Sequence, residues 1–145
     1  MKKVMLIGRT ESGKTTLAEV IEKGQAESRK TQSIQRVGRM FDTPGEFVEN
    51  RRLYRALLIT SYDVDVVAMV MAAEESQTLF PPSFAQAFNR EVIGIVTKID
   101  QEDNTSYAEE SLRKAGATRI FKTSAITGQG LMELKGYLTC EGESC

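Results

Sequence analysis

The segment Val4-Met-Leu-Ile7, Gly8-Arg-Thr-Glu-Ser-Gly13-Lys14-Thr15, Leu17-Ala-Glu-Val-Ile21 sets a glycine-bounded loop between a short apolar run and a helix-like stretch. The loop fits the pattern GxxxxGK[ST], in the strand, loop and helix context that gives this pattern its meaning. Gly8 and Gly13 let backbone amides turn inward around a polyphosphate with no Cβ in the way. The helix that follows points its positive dipole end at the same anion. Lys14 is placed to reach the β- and γ-phosphates, and the Thr15 hydroxyl to bind Mg²⁺. The candidate phosphate-binding residues are therefore Gly8, Arg9, Thr10, Glu11, Ser12, Gly13, Lys14, Thr15 and Thr16.

Outward from this loop, apolar runs and amphipathic stretches alternate. Val4–Ile7, Val64–Met71 and Val92–Val96 lack strict alternation, as strands covered on both faces do. Weaker strands are expected at Ser33–Val37, Arg39–Asp42 and Arg119–Lys122. Helical patterns fall at Lys14–Lys23, Val48–Thr60, Ser76–Phe88, Tyr107–Ala115 and Leu131–Leu138. Strand followed by helix, repeated, predicts an α/β fold: a mostly parallel six-stranded sheet with helices on both faces. The 145 residues, 41% of them hydrophobic, suit one domain at 1–139 with a short polar tail at 140–145 expected to fray.

Composition removes several functions. Nineteen basic residues against twenty acidic ones leave no basic block for a nucleic-acid backbone. The apolar run after Met1 stops after four residues, which predicts neither export nor a membrane span, hence a cytoplasmic protein. Cys140 and Cys145 lie in the polar tail and read as free thiols. With no histidine in the chain, acid–base or triad chemistry resting on histidine is excluded. Phosphoryl transfer loses little by this, because it needs positioning and charge stabilisation more than a base.

In a sheet of this kind ligands bind beyond the carboxyl ends of the strands, so what each strand empties into is informative. The strand ending at Phe41 delivers Asp42-Thr-Pro-Gly45: Asp42 can hold Mg²⁺ through water, and the Gly45 amide can touch a γ-phosphate. The strand ending at Val96 delivers Thr97-Lys98-Ile99-Asp100. The Asp100 carboxylate can accept two hydrogen bonds from the N1 and N2 edge of guanine, a pair adenine does not offer. Lys98 would lay its stem on base and ribose. The strand ending at Lys122 delivers Thr123-Ser124-Ala125, whose backbone amide can contact guanine O6.

The ordered set GRTESGKT, DTPG, TKID and TSA resembles the Ras-like P-loop GTPase domain and covers almost the whole chain. More narrowly, Lys30-Thr-Gln32, DTPGEFVEN at Asp42–Asn50, and LFPPSFAQAF with VIGIVTKID at Leu79–Asp100 resemble the EutP/PduV family of ethanolamine and propanediol utilisation proteins. The resemblance implies binding of GTP and GDP with Mg²⁺, slow GTP hydrolysis, and a place with bacterial microcompartments, a shell protein or an enzyme being the partner. It implies two alternatives as well: an acetate kinase, an activity assigned within the family, or a recruitment module without significant turnover.

The chain departs from the Ras-like pattern at several positions. Thr97 stands where Asn is usual, so base specificity should survive through Asp100 with weaker affinity. Glu11 occurs at a position that is acidic in Gα subunits too, and it replaces the Asn of potassium-activated GTPases. Glu46 stands where Ras uses Gln to orient water, and its charge opposes that of the γ-phosphate. Thr31, sixteen residues after Thr15, is the candidate switch residue that closes over Mg²⁺. Lys14, Thr31 and Glu46 thus form the candidate catalytic set, and Thr15, Thr31 and Asp42 the candidate metal set. Arg29 and Lys30 could add positive charge in cis or be ordinary solvated charges. Leu79–Phe88, with three phenylalanines and two prolines, reads either as an exposed docking patch or, preferably, as a proline-started helix burying its aromatics.

Overall fold

Strands with both faces covered are apolar through their central run, and the three apolar runs become the central strands for that reason. In the computed structural model, which describes residues 2–9, 13–23, 35–37, 40–43, 51–78 and 80–139, β1 (Val4–Gly8), β4 (Val66–Ala72) and β5 (Glu91–Thr97) are buried throughout except at Glu91. Shorter strands β2 (Gln35–Val37), β3 (Met40–Asp42) and β6 (Ile120–Lys122) complete a sheet of order β2-β3-β1-β4-β5-β6. All pairings are parallel except β2 with β3.

Alternation along each strand sorts the side chains into two layers. Met5 and Ile7 of β1 join Met69 and Met71 of β4 beneath α2 (Arg51–Ser61) and α3 (Ser106–Ala115), which contribute Leu57 and Leu112. Val4 and Leu6 join Ala68, Val70, Ile93 and Ile95 beneath α1 (Lys14–Lys23) and α4 (Leu131–Thr139), which contribute Leu17, Ile21, Leu134 and Leu138. At the amino ends of the strands, the Tyr137 hydroxyl of α4 donates to Glu91 at the start of β5. Burial first, and that hydrogen bond after it, push the Tyr137 hydroxyl above its ordinary range. Among the described residues no helix is long and apolar enough to cross a membrane.

One expected helix does not form. Between β4 and β5 the chain makes turns and a single 3₁₀ helix at Phe84–Ala87, where the periodicity predicts a helix over Ser76–Phe88. Pro82 bars the α conformation from Pro81, and Ser83 sits in the left-handed region at φ 64°, so no helix can run through them. The aromatics are buried all the same: Phe80, Phe84 and Phe88 stack edge-on or tilted, with ring centroids 5.2 and 5.5 Å apart. A docking patch built on these rings is thereby ruled out.

Candidate nucleotide site

The turn from β1 into α1 hinges on Gly13, whose φ of +95° is strained for any residue with a Cβ. Its carbonyl accepts the first bond of α1, from the Leu17 N–H at 2.9 Å. Lys14, only 5% exposed, folds its ammonium back onto the loop and donates to the Gly8 and Arg9 carbonyls, both at 2.9 Å. The lysine charge is therefore held at the mouth of the loop that the helix dipole faces. Arg9 is anchored in turn by Glu75, beyond the end of β4, at 3.1 Å.

Asp42 closes β3 in register with Leu6 of β1. The following residue fixes this strand end, because the buried Thr43 hydroxyl donates to the Leu6 carbonyl at 2.6 Å. Thr15, half-buried in the first turn of α1, and Asp42 thus belong to elements that leave the carboxyl end of β1 and its neighbour. Both are hard oxygen donors of the kind Mg²⁺ accepts, which suits the candidate metal set.

Two strands further along, β5 ends at the buried Thr97, and Lys98 turns the chain by adopting φ 58°. A left-handed lysine costs about 1 kcal/mol and marks a backbone held by its surroundings. The Ile99 N–H donates to the Thr123 carbonyl at 3.3 Å and the Gln101 N–H to the Lys98 carbonyl at 3.0 Å, which brings the exposed Asp100 to the end of β6. There the fully buried Ser124 donates its hydroxyl to Asp100 Oδ1 at 2.6 Å and accepts the Thr127 N–H at 3.2 Å. The loop behind it closes through Ser124 N–H to Gln129 carbonyl and Gly128 N–H to Ser124 carbonyl, both at 2.9 Å.

Gly13, Thr16, Thr97, Lys98, Asp100 and Ala125 line one cavity of about 170 Å³, together with Leu17, Gln101, Thr123 and Ile126. That volume suits a planar base and not a whole nucleotide, for which pockets run to roughly 300 Å³ or more. Phosphates would lie outside it, along the loop toward Lys14. Among the described residues, the sequence-predicted ones fall into two adjoining groups, those lining this cavity and those at the loop seating Lys14, joined by Gly13. Thr10, Glu11, Ser12, Arg29, Lys30, Thr31, Gly45 and Glu46 lie outside the described residues, as do Cys140 and Cys145. Among the described residues no group of three or more His, Cys, Asp or Glu side chains is placed to hold a metal.

Sequence reasoning missed Thr43, Glu75, Gln101 and Ile126. Ile126 follows Ser124-Ala125 directly in the chain, and the fold leaves its large apolar side chain 78% exposed at the cavity edge.

The loop that carries Ser124 depends on Gly130, where φ is +77° and an added Cβ would stand 1.9 Å from the Lys122 carbonyl oxygen. Gly128, at φ +83°, has nothing within 4 Å of such a Cβ. In urea unfolding, Gly130→Ala should cost roughly 3 kcal/mol or more and Gly128→Ala about 1 kcal/mol. Equal costs would show that the clash is absorbed by a small shift of the loop.

Comparison with known proteins places the chain among relatives along its length. The family model for ethanolamine utilisation – propanediol utilisation proteins, PduV-EutP, matches residues 1–140. A propanediol utilization protein PduV of Citrobacter freundii is 40% identical over 147 aligned positions, covering 100% of this chain and 98% of that protein. A probable acetate kinase EutP of Salmonella typhimurium is 29% identical, covering 99% and 92%. A GTPase Era of a Bradyrhizobium species is 30% identical over 93% of this chain but only 51% of its own length.

Proposed function

The chain belongs to the PduV-EutP family of ethanolamine and propanediol utilisation proteins, and on that premise we propose that it binds guanine nucleotides with Mg²⁺ and hydrolyses GTP slowly. The observation that carries the reading is the Ser124–Asp100 hydrogen bond of 2.6 Å. It sets a carboxylate at the rim of a base-sized cavity whose other end is the loop seating Lys14. Likeness to a GTPase Era over most of the chain supports the same nucleotide class.

Asp100 would accept the guanine N1 and N2 hydrogens. The Ser124 N–H is already given to Gln129, so the amide offered to guanine O6 would be that of Ala125. Thr97 packs against Gly13, 3.4 Å from where a Cβ would stand, and so closes the base cavity from the phosphate side. Lys14 would carry positive charge to the β- and γ-phosphates while keeping a loop carbonyl as its seat. Thr15, Asp42 and Thr31 would hold Mg²⁺, which when bound neutralises charge on the phosphates. Water attacks the γ-phosphorus, the bond to the β–γ bridging oxygen breaks, and GDP keeps that electron pair. Glu46 in place of a neutral water-orienting amide makes the step slow, because its charge opposes the γ-phosphate.

The acetate kinase reading rests on the name of a relative that is 29% identical. In it an acetate oxygen attacks the γ-phosphorus in place of water, and cations such as Arg29 and Lys30 must offset the repulsion between the two anions. Phosphate release from GTP and from ATP, each with and without acetate and with hydroxylamine to trap acetyl phosphate, separates the two. The expected result is slow GTP-specific release, indifferent to acetate and raised by Glu46→Gln. Hydroxamate formed faster than phosphate is released, and lost on neutralising Arg29 and Lys30 together, would reverse the assignment. A role at a microcompartment shell or with an enclosed enzyme is part of the same proposal, and co-sedimentation with purified microcompartments tests it.

A further inference from the structure

Glu75 is a carboxylate beside a site expected to take polyphosphate, where its charge is unfavourable unless it has other work. Its two oxygens act on different elements. Oε2 accepts the Ala72 N–H at 2.5 Å and so finishes β4, while Oε1 accepts Arg9 Nε at 3.1 Å. Arg9 also donates through Nη2 to the Gln77 carbonyl at 3.0 Å. The Glu75 side chain is 14% exposed, so this pair is screened less than a surface pair. Arg9 is the first residue after β1, and its own carbonyl, with that of Gly8, seats the Lys14 ammonium.

We propose that Glu75 is a positioning residue of the phosphate site. Resting on the nucleotide-binding reading above, it clamps Arg9 to the end of β4 and so sets the height of the carbonyls that hold Lys14. Strands β1 and β4 are neighbours with Gly8 opposite Val70, which makes the end of β4 the fixed point available to this loop. The clamp acts through geometry, and its sign is therefore opposite to that of its charge. Removing a carboxylate near a polyphosphate should tighten binding if only electrostatics mattered. Releasing Arg9 and letting Lys14 drift should loosen it.

The test uses the full chain with Mg²⁺ and a fluorescent GDP. Glu75→Gln keeps an oxygen for the Ala72 N–H and removes the charge, and Arg9→Gln removes the other half of the pair. Each should speed GDP release about tenfold. The double variant should release no faster than Arg9→Gln alone, because Glu75 acts through Arg9, while Arg9→Gln also gives up the bond to the Gln77 carbonyl. Glu74→Gln is the neighbouring charge change: its residue pairs with Lys98 at 3.7 Å, a residue of the base cavity, so it serves as control only in hydrogen exchange without nucleotide, where it should leave Arg9, Gly13 and Lys14 unchanged. Slower or unchanged release from Glu75→Gln, or additive effects in the double variant, would overturn the proposal. Hydrogen exchange of the unliganded protein decides the same point without nucleotide: the amides of Arg9, Gly13 and Lys14 should exchange several-fold faster in Glu75→Gln, and unchanged exchange there refutes the clamp. A wild-type protein that binds no guanine nucleotide would sink the proposed function while leaving this exchange experiment to judge Glu75.

Discussion

Lys14→Ala should lower GTP turnover on the order of 10²- to 10³-fold or more, because it removes the one described cation seated at the mouth of the phosphate loop. Charge on the transferring phosphoryl group is spread over its equatorial oxygens, and a fixed ammonium lowers the barrier without reorganising. The geometry adds a cost that the motif alone does not suggest. Lys14 is buried and bonded to the carbonyls of Gly8 and Arg9, so its truncation leaves two acceptors to be satisfied by water. A stability loss of about 1–3 kcal/mol is expected beside the catalytic loss. Urea unfolding of the variant, run with the turnover assay, keeps the two apart: the loss of turnover should persist well below the unfolding transition. Undiminished turnover in a folded Lys14→Ala protein would mean that this loop is not the phosphate site.

What was legible in the sequence follows from which interactions are local. Strands β1, β4 and β5 were readable because a strand covered on both faces is apolar along its central run, with polar side chains only at its ends, as at Glu91 and Thr97. The strand ends at Asp42, Thr97 and Lys122 were readable because the apolar runs stop there, while the nucleotide chemistry assigned to Gly8–Thr15 and the strand-end tetrapeptides is a proposal drawn from residue types at motif spacing. The helix over Ser76–Phe88 failed because its apolar spacing came from aromatics that turn inward from a turn and a 3₁₀ helix, while Pro81 and Pro82 governed the backbone. Glu75 was invisible for another reason. Its partner Arg9 is 66 residues away, and the pair exists only because β1 and β4 lie side by side. Thr43 is the same case at shorter range: its hydroxyl matters through the Leu6 carbonyl of the neighbouring strand, 37 residues earlier.

Asp100→Asn should exchange guanine for xanthine preference, and the loop around it dictates how. In the wild type one carboxylate oxygen accepts the Ser124 hydroxyl at 2.6 Å, while Ser124 itself is oriented by the Thr127 N–H. Asp100 lines the cavity, and its other oxygen and the remaining lone pairs of the first would accept the N1 and N2 hydrogens of guanine. An asparagine at this position keeps the Ser124 bond by turning its carbonyl oxygen toward the hydroxyl, and its NH₂ then faces the base. That NH₂ meets the N2 amino group of guanine donor to donor, yet it can donate to the O2 of xanthine. A polar group left unpaired in such a site discriminates by on the order of 10⁴, and Thr97, lacking the amide usual there, lowers all affinities without altering this order. Calorimetry with GDP, XDP and ADP in the presence of Mg²⁺ should rank GDP first for the wild type and XDP first for Asp100→Asn. Ser124→Ala should blunt the inversion, since without the hydroxyl nothing fixes which end of the amide faces the ligand. Equal affinities of the wild-type protein for GDP and ADP would remove Asp100 from base recognition, and with it the guanine assignment.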